Sequence, residues 1–237
     1  MAAFVFLAGS EVRPASWDAC GAFLVKRGHT YRAIDWTKAP WEKGLLPAIG
    51  YLVSELSDIK DAVLVGHSVA GIFLPLLAER MVAKSEIYIA ALASPSDRSL
   101  WDRLFAGEEI FDPGWVTTYG EAALSPGQSL SDHHRTTFEE YLFHDCPAGS
   151  FQKYWRPFPL PLDLFYEIRF SLQKAARPRH YIVCSGDRTI RPEWQRKVAL
   201  ELNGSNVPPT EFMSGHSPQL AKPYELACFL ETLAEQA

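Results

Sequence analysis

The sequence predicts an α/β fold: a doubly wound, mostly parallel sheet with a helical lid inserted before the strand that leads to Asp187. Short, continuous apolar runs recur along the chain, as is typical of strands buried on both faces of a parallel sheet. Stretches with helical periodicity separate these runs, and such alternation favours right-handed crossovers between parallel strands. One long segment, 95–176, interrupts the alternation. We therefore expect a core made of 1–94 and 177–237, with 95–176 as the lid.

The individual elements can be predicted in chain order. The first run, AFVFLAG at 3–9, is apolar throughout and is followed by a serine. The helix after it has apolar residues at helical spacing and stops at Gly28. Predicted strands lie at 3–9, 29–35, 62–65, 87–93, 180–185 and around 210–213. Predicted helices lie at 15–27, 45–56, 69–81, 193–202 and 223–233.

The lid segment is rich in aromatic residues and has a proline cluster at 157–161. A connection of this length is too long for a plain loop, so it must carry its own structure, which we expect to be helical. Its aromatic side chains suit an apolar pocket, although packing of the lid on the sheet explains any single one of them more simply. They are Trp101, Phe105, Trp115, Tyr119, Phe138, Tyr141, Phe143, Trp155 and Phe158.

Bulk composition is that of one globular domain. The 237 residues are 47% hydrophobic and 22% charged, with a formal net charge of −5. No run of Lys and Arg could follow a phosphate backbone, so nucleic acid is not an expected partner. No apolar stretch reaches the ~20 residues of a membrane helix, and the start of the chain lacks the features of a secretory signal. We expect a cytoplasmic protein with a small-molecule substrate and no membrane partner, and a homodimer is left open.

The strongest chemical signal is a serine at a sharp turn between a buried strand and a helix. Residues 63–71 read VLVGHSVAG, which places Ser68 at the apex. Small residues flank such a serine, because its backbone is strained and bulkier neighbours would collide with the strand and the helix. Gly66 is the small residue before Ser68. The usual pattern has a glycine two positions after the serine, where this chain has Ala70, followed by Gly71. We interpret Ser68 as a nucleophile; a Gly-Ser turn without chemistry is the alternative.

A serine nucleophile needs a general base and a carboxylate that orients the base. Asp187 follows the strand at 180–185, and His216 follows the last short strand, so the order along the chain is serine, acid, base. This order predicts a catalytic triad of Ser68, Asp187 and His216. The simpler alternatives are a turn or helix-capping aspartate beside Arg188 and a loop histidine bound to backbone groups.

The negative charge that develops on a substrate oxygen needs two backbone N–H donors, an oxyanion hole. We expect one donor from Val69, at the start of the helix after Ser68, where the helix dipole also favours an anion. The second is expected from the loop after the first strand, and we assign it to Ser10.

The remaining histidines and the cysteines indicate no cofactor and no metal. Adjacent His133 and His134 lack a spaced third ligand. His67 precedes the predicted nucleophile and is expected to pack beneath the turn. The widely separated cysteines are expected to be buried free thiols. They are Cys20, Cys146, Cys184 and Cys228.

With these motifs in place, the chain resembles the plant methylesterase and hydroxynitrile lyase family, with its bacterial relatives, in the α/β-hydrolase superfamily. FVFLAGSE at 4–11, running on to Trp17, is similar to the family's oxyanion segment. GHSVAG at 66–71 is similar to its nucleophile turn, and YIVCSGD at 181–187 to its acid-bearing strand. FHDC at 143–146 resembles a motif of the family's lid. The resemblance implies the α/β-hydrolase fold and the same triad.

Two departures bear on the activity that the resemblance implies. The hydroxynitrile lyases of the family use a threonine in the oxyanion loop and a lysine directly after the catalytic histidine. The matching positions are Gly9 and Ser217, so an esterase is implied rather than a lyase. We predict a serine hydrolase that cleaves a small, largely apolar or aromatic ester through an acyl-enzyme intermediate. The alternatives are a small-molecule receptor with a slow triad and a non-hydrolytic enzyme of the same fold.

Overall fold

Parallel strands form a single six-stranded sheet in the described part of the chain. The computed structural model describes residues 1–121, 132–158, 160, 163–169, 177–203 and 209–236. The strands are β1 (Ala3–Leu7), β2 (Thr30–Ile34), β3 (Ala62–His67), β4 (Ser85–Ile89), β5 (Arg179–Cys184) and β6 (Thr210–Phe212). Their order across the sheet is β2-β1-β3-β4-β5-β6, and every neighbouring pair is parallel. Strand β2 therefore lies on one side of β1, and the later strands extend the sheet on the other side.

Both faces of this sheet are buried. Along β1, Phe4 and Phe6 belong to one apolar cluster, whereas Val5 and Leu7 belong to another on the opposite face. Helices α1 (Asp18–Lys26) and α11 (Pro223–Glu235) cover the phenylalanine face, and the short helix α10 (Pro218–Ala221) precedes α11. The other face is covered by α2 (Leu45–Glu55), α3 (Leu74–Met81) and α9 (Pro192–Asn203). Continuous apolar strands are explained by this two-sided burial, and the predicted doubly wound α/β-hydrolase architecture is confirmed.

The chain after the Ser68 turn differs from the sequence-based expectation of an immediate helix. Residues Ser68–Ile72 form a 3₁₀ turn, and α3 begins only at Leu74. Pro75 lies in the first turn of α3, where its missing N–H breaks no helical hydrogen bond. Strand β4 also ends earlier than predicted, at Ile89, because Ala90 adopts a φ of 42° and leaves the extended conformation.

The segment between β4 and β5 is helical in its described residues, as expected for the lid. Its helices are α4 (Leu100–Phe105), α5 (Pro113–Glu121), α6 (Asp132–Leu142), α7 (Ser150–Tyr154) and α8 (Asp163–Tyr166). Residues 170–176, the end of the predicted lid, and positions 159, 161 and 162 in and beside the proline cluster lie outside the described residues. The division into core and lid remains a prediction.

Two short antiparallel bridges join this segment to the sheet loops. Val12 pairs with Trp155, and Phe111 pairs with Ile190. The first bridge holds the loop after β1, and the second holds the loop after β5. These are the loops that carry Ser10 and Asp187, so the helical segment is fastened over the edge of the sheet where the predicted site residues lie.

The cysteines are free thiols, as predicted. Cys20 and Cys184 are buried, whereas Cys146 and Cys228 are only half-buried, so the expected burial holds for two of the four. Burial raises the pKa of the Cys146 thiol to about 12, which keeps it protonated at neutral pH. None of the helices in the described ranges combines the length and the apolar character needed to cross a membrane.

Candidate active site

Ser68 lies at the point where β3 turns into the 3₁₀ segment. Its φ is 54°, in the left-handed region that non-glycine residues rarely adopt. Its carbonyl accepts a hydrogen bond of 2.9 Å from the Leu92 N–H, which fixes the turn against the end of the neighbouring strand. Such a strained turn presents the serine side chain above the sheet, and functional residues are often held in this way.

The small residues around Ser68 are required by close approach. A Cβ at Gly71 would lie 2.6 Å from the Leu92 carbonyl oxygen, and a Cβ at Gly66 would lie 3.0 Å from Leu74. Ala70 is fully buried, so the turn accommodates a methyl group at this position. The glycine that the turn requires on its far side is therefore Gly71, one position later than the usual pattern.

His216 lies between Ser68 and Asp187. Its Nε2 is 3.1 Å from Ser68 Oγ, and its Nδ1 is 2.8 Å from Asp187 Oδ2. A carboxylate accepts hydrogen bonds, so Nδ1 carries the proton and Nε2 is free to accept the serine proton. All three residues are more than nine-tenths buried. The structure thus brings the three predicted residues into one hydrogen-bonded line.

Asp187 is held by groups on both of its oxygens. Its Oδ1 accepts from the backbone N–H groups of Thr189, at 2.7 Å, and Ile190, at 3.2 Å. Its Oδ2, which faces His216, also accepts from Gln195 Nε2 at 2.8 Å. The aspartate is therefore both a turn acceptor and a partner of the histidine, so the two interpretations of the sequence do not exclude each other.

Sequence reasoning missed Gln195, which fixes the acid. This fully buried side chain also accepts from the Cys184 N–H at 2.9 Å and donates to the Ile190 carbonyl at 2.8 Å. Both the oxygen and the nitrogen of its side-chain amide thus have hydrogen-bond partners, which determines the orientation of the amide. The only sequence signal was a polar residue on the apolar face of α9.

His67 packs beneath the turn, as expected, and ties two loops together. Its Nδ1 accepts from the Gly9 N–H at 3.2 Å, and its Nε2 donates to the His216 carbonyl at 2.7 Å. Burial and the neighbouring His216 lower the pKa of His67 to about 3, so the ring is neutral at physiological pH. His67 thereby positions both the loop after β1 and the backbone of His216.

The lid motif FHDC holds the loop that precedes His216. Asp145 accepts from the Gly215 N–H at 2.6 Å and from Ser214 Oγ at 3.0 Å. A Cβ at Gly215 would lie 2.4 Å from His144 Cε1, so this position has room only for glycine. Asp145 therefore acts on the backbone beside His216, whereas Asp187 binds its ring.

A cavity of about 350 Å³ opens above Ser68 and His216. Its walls are mainly apolar, and they include Leu92, Trp101, Leu104, Phe111, Trp115 and Leu142. Of the lid aromatics singled out in the sequence, Trp101, Trp115 and Tyr119 line this cavity. Phe105 is exposed, and Phe158 packs on Trp36 in the core. The others belong to an apolar cluster that joins the lid helices to Val12 and Leu220.

The two predicted oxyanion donors also border the cavity. Ser10 and Val69 both line it beside Ser68, and Val69 belongs to the 3₁₀ turn rather than to the start of α3. The Gly9 N–H is directed to His67, which makes Ser10 the next donor along the loop. Four of the five predicted site residues thus line one cavity, and Asp187 lies behind His216. Their chemical roles remain predictions.

Comparison with known families confirms the resemblance inferred from the motifs. A family model described as the alpha/beta hydrolase family matches residues 4–227, which include all five predicted site residues. The chain belongs to the alpha/beta hydrolase family. Its position in this family agrees with the parallel sheet and with the strained serine turn.

Similar proteins within the family include plant methylesterases. Methylesterase 10 of Arabidopsis thaliana is 27% identical over 258 aligned positions, covering 98% of this chain and 91% of the relative. Methylesterase 2 of the same plant is 26% identical, covering 78% of this chain and 73% of the relative. These likenesses agree with the methylesterase resemblance of the sequence motifs.

Solved structures share the fold over the full chain. A pyrethroid hydrolase crystallised with BIF has a TM-score of 0.74 at 18% identity, covering 99% of this chain and 96% of that one. The methylesterase protein MES16 from Arabidopsis has a TM-score of 0.70 at 20% identity, covering 100% of both chains. At this level of identity the likeness establishes the fold.

Proposed function

We propose that this protein is a carboxylic-ester hydrolase that cleaves small, largely apolar or aromatic esters through an acyl-enzyme on Ser68. The observation that carries the proposal is the hydrogen-bonded line from Ser68 through His216 to Asp187, in which Ser68 and His216 line an apolar cavity. Membership of the alpha/beta hydrolase family and the esterase names of its relatives support the same reaction class.

In the first half of the reaction, Ser68 Oγ bonds to the ester carbonyl carbon while its proton passes to His216 Nε2. The carbonyl oxygen becomes an oxyanion, which the N–H groups of Ser10 and Val69 stabilise. Collapse of this intermediate releases the alcohol, which takes the proton from His216. Asp187 keeps the imidazole in the correct tautomer and stabilises its cationic form throughout.

In the second half, a water molecule gives its proton to His216 and attacks the acyl carbon. The second tetrahedral intermediate then releases the acid, and Ser68 recovers its proton. A cavity of about 350 Å³ fits a substrate of modest size, because a ligand pocket usually encloses most of the molecule that it binds. The apolar walls favour esters with hydrocarbon or aromatic groups on either side.

The choice between esterase and lyase rests on Gly9 and Ser217. Release of cyanide from a cyanohydrin calls for a cation beside the imidazole and a hydroxyl donor in the oxyanion loop. Ser217, which follows His216, is not a cation, and Gly9 has no hydroxyl. We expect measurable hydrolysis of phenyl acetate and of p-nitrophenyl esters, with rates that decline as the acyl chain outgrows the cavity. With mandelonitrile, cyanide should appear no faster than without enzyme. Fast cyanide release together with absent ester cleavage would favour the lyase instead.

A further inference from the structure

The cavity contains a buried carboxyl group that the triad does not use. Glu11 lies in the loop after β1, is 6% exposed, and lines the cavity together with Ser68 and His216. Hydrogen bonds from the Ser10 hydroxyl and the Tyr119 hydroxyl hold its carboxyl group. Burying a carboxylate in an apolar cavity is unfavourable unless its charge is paired, so the presence of Glu11 at this place calls for a positively charged partner.

The surroundings of Glu11 favour a positively charged partner. Burial raises the pKa of Glu11, and the hydrogen bonds from Ser10 and Tyr119 and the charge of His216 oppose this rise only in part. The titratable groups of the facing helices are acidic: Tyr119 in α5, and Asp163 and Tyr166 in α8. The described residues that line the cavity include no lysine or arginine.

The nearest part of the lid does not supply the missing charge. The backbone N–H of Arg156 donates to the backbone carbonyl of Glu11 at 2.9 Å. The Arg156 guanidinium, however, forms a bidentate pair with Asp35 at 2.8 and 2.9 Å. His216 lines the same cavity, and in the proposed reaction its charge is used while it holds the serine proton. The resting cavity thus holds an acid without a permanent counter-ion among these residues.

The position of Glu11 makes its charge relevant to the reaction. It is adjacent to Ser10, whose N–H is one of the proposed oxyanion donors. An ionised Glu11 would repel the developing oxyanion, because like charges in a poorly solvated site interact strongly. A neutral ester should therefore react more slowly while Glu11 is ionised than while it is protonated, whereas a cation on the substrate would offset the carboxylate.

The walls of the cavity also suit a cation. Trp101, Phe111, Trp115, Tyr119 and Tyr166 line it, and aromatic faces attract ammonium groups that have lost part of their hydration. We propose that this cavity selects esters that carry an ammonium group on an otherwise apolar body, with Glu11 as the counter-ion. This inference rests on the proposed esterase function and narrows its substrate class.

Isosteric pairs of esters test the proposal, because each pair exchanges a quaternary nitrogen for carbon at constant shape. Acetylcholine and 3,3-dimethylbutyl acetate place the group on the alcohol side. The methyl esters of trimethylglycine and of 3,3-dimethylbutanoic acid place it on the acyl side. We expect one pair to show a cationic preference in kcat/KM that falls by about 10- to 100-fold in Glu11→Gln. Differences in intrinsic reactivity cancel when the ratio is compared between the two proteins.

Glu55→Gln is the matched control, since it removes the same charge from an exposed position on α2. It should leave both ratios unchanged. The neutral esters report separately on the esterase function: their hydrolysis by wild type supports that function whether or not Glu11 discriminates. Ratios that are the same in wild type and Glu11→Gln would overturn the proposal about Glu11.

A binding measurement on wild type keeps the proposal testable if Glu11→Gln does not fold. Choline and 3,3-dimethylbutan-1-ol form another isosteric pair, and calorimetry measures their affinities without any reaction. Because the pKa of Glu11 is raised, the acid is neutral below that pKa and charged above it. We expect choline to bind more tightly, with an advantage that grows as the pH rises. Equal affinities at every pH would contradict the proposal.

Discussion

Replacing Ser68 or His216 by alanine is expected to lower kcat for ester hydrolysis by about 10⁴- to 10⁶-fold, since members of a triad act as one unit. Ser68→Ala removes Oγ, which lies 3.1 Å from His216 Nε2, but leaves Cβ in the strained turn. Alanine tolerates a φ of 54° about as poorly as serine does, so the free energy of unfolding should change little. The measurement is kcat with p-nitrophenyl acetate, beside an unfolding curve for each variant.

Substantial residual activity of the Ser68→Ala variant would contradict the proposed mechanism. If Ser68→Ala kept more than about one hundredth of the wild-type kcat, hydrolysis would not proceed through an acyl group on Ser68. The double variant, with both Ser68 and His216 replaced by alanine, should have nearly the same kcat as either single variant. Additive losses would indicate that the two side chains act independently, contrary to the proposed mechanism.

Asp187→Asn is expected to lower kcat by about 10⁴-fold through the wrong histidine tautomer. The backbone N–H groups of Thr189 and Ile190 now bind Oδ1, and they would bind the amide oxygen of the asparagine. Its NH₂ group would then face His216 Nδ1, which could only accept. Nε2 would consequently carry the proton and could no longer take one from Ser68. The measurement is kcat with the same ester.

Asp58→Asn is a matched control for this variant, because Asp58 is exposed and pairs with Arg32 on the surface. It should leave kcat unchanged. A nearly silent Asp187→Asn would require another carboxylate to orient His216, and Asp145 would be examined first. That outcome would conflict with the observed contacts, in which Asp145 binds the Gly215 N–H and Ser214 Oγ.

Local patterns in the sequence were sufficient to predict the sheet and the chain order of Ser68, Asp187 and His216, which the structure brings together. Continuous apolar strands, the turn at Ser68 and the positions of Asp187 and His216 after strands all follow from short segments of chain. The predicted helix after Ser68 began too early, because Pro75 lies in the first turn of α3. A proline fits the first turn of a helix and not its interior, so this residue alone places the start near Leu74.

Contacts between distant segments could not be predicted in this way. Gln195 reaches Asp187 only because α9 packs beside β5, and Asp145 reaches Gly215 only because the lid folds over the last loop. Glu11 was part of the predicted oxyanion loop, but in the structure it lies in one cavity with Tyr119 of α5 and Tyr166 of α8. A single sequence shows which residues are polar, whereas three-dimensional packing decides which of them enter the cavity.

Covalent labelling with a fluorophosphonate tests most directly whether Ser68 is an activated nucleophile. An activated serine beside an oxyanion hole attacks the phosphorus and expels fluoride, whereas ordinary serines react far more slowly. Intact-protein mass should rise by one phosphonyl group, peptide mapping should locate it on Ser68, and Ser68→Ala should stay unlabelled. An unmodified wild-type protein, or a label on a different serine, would contradict the account.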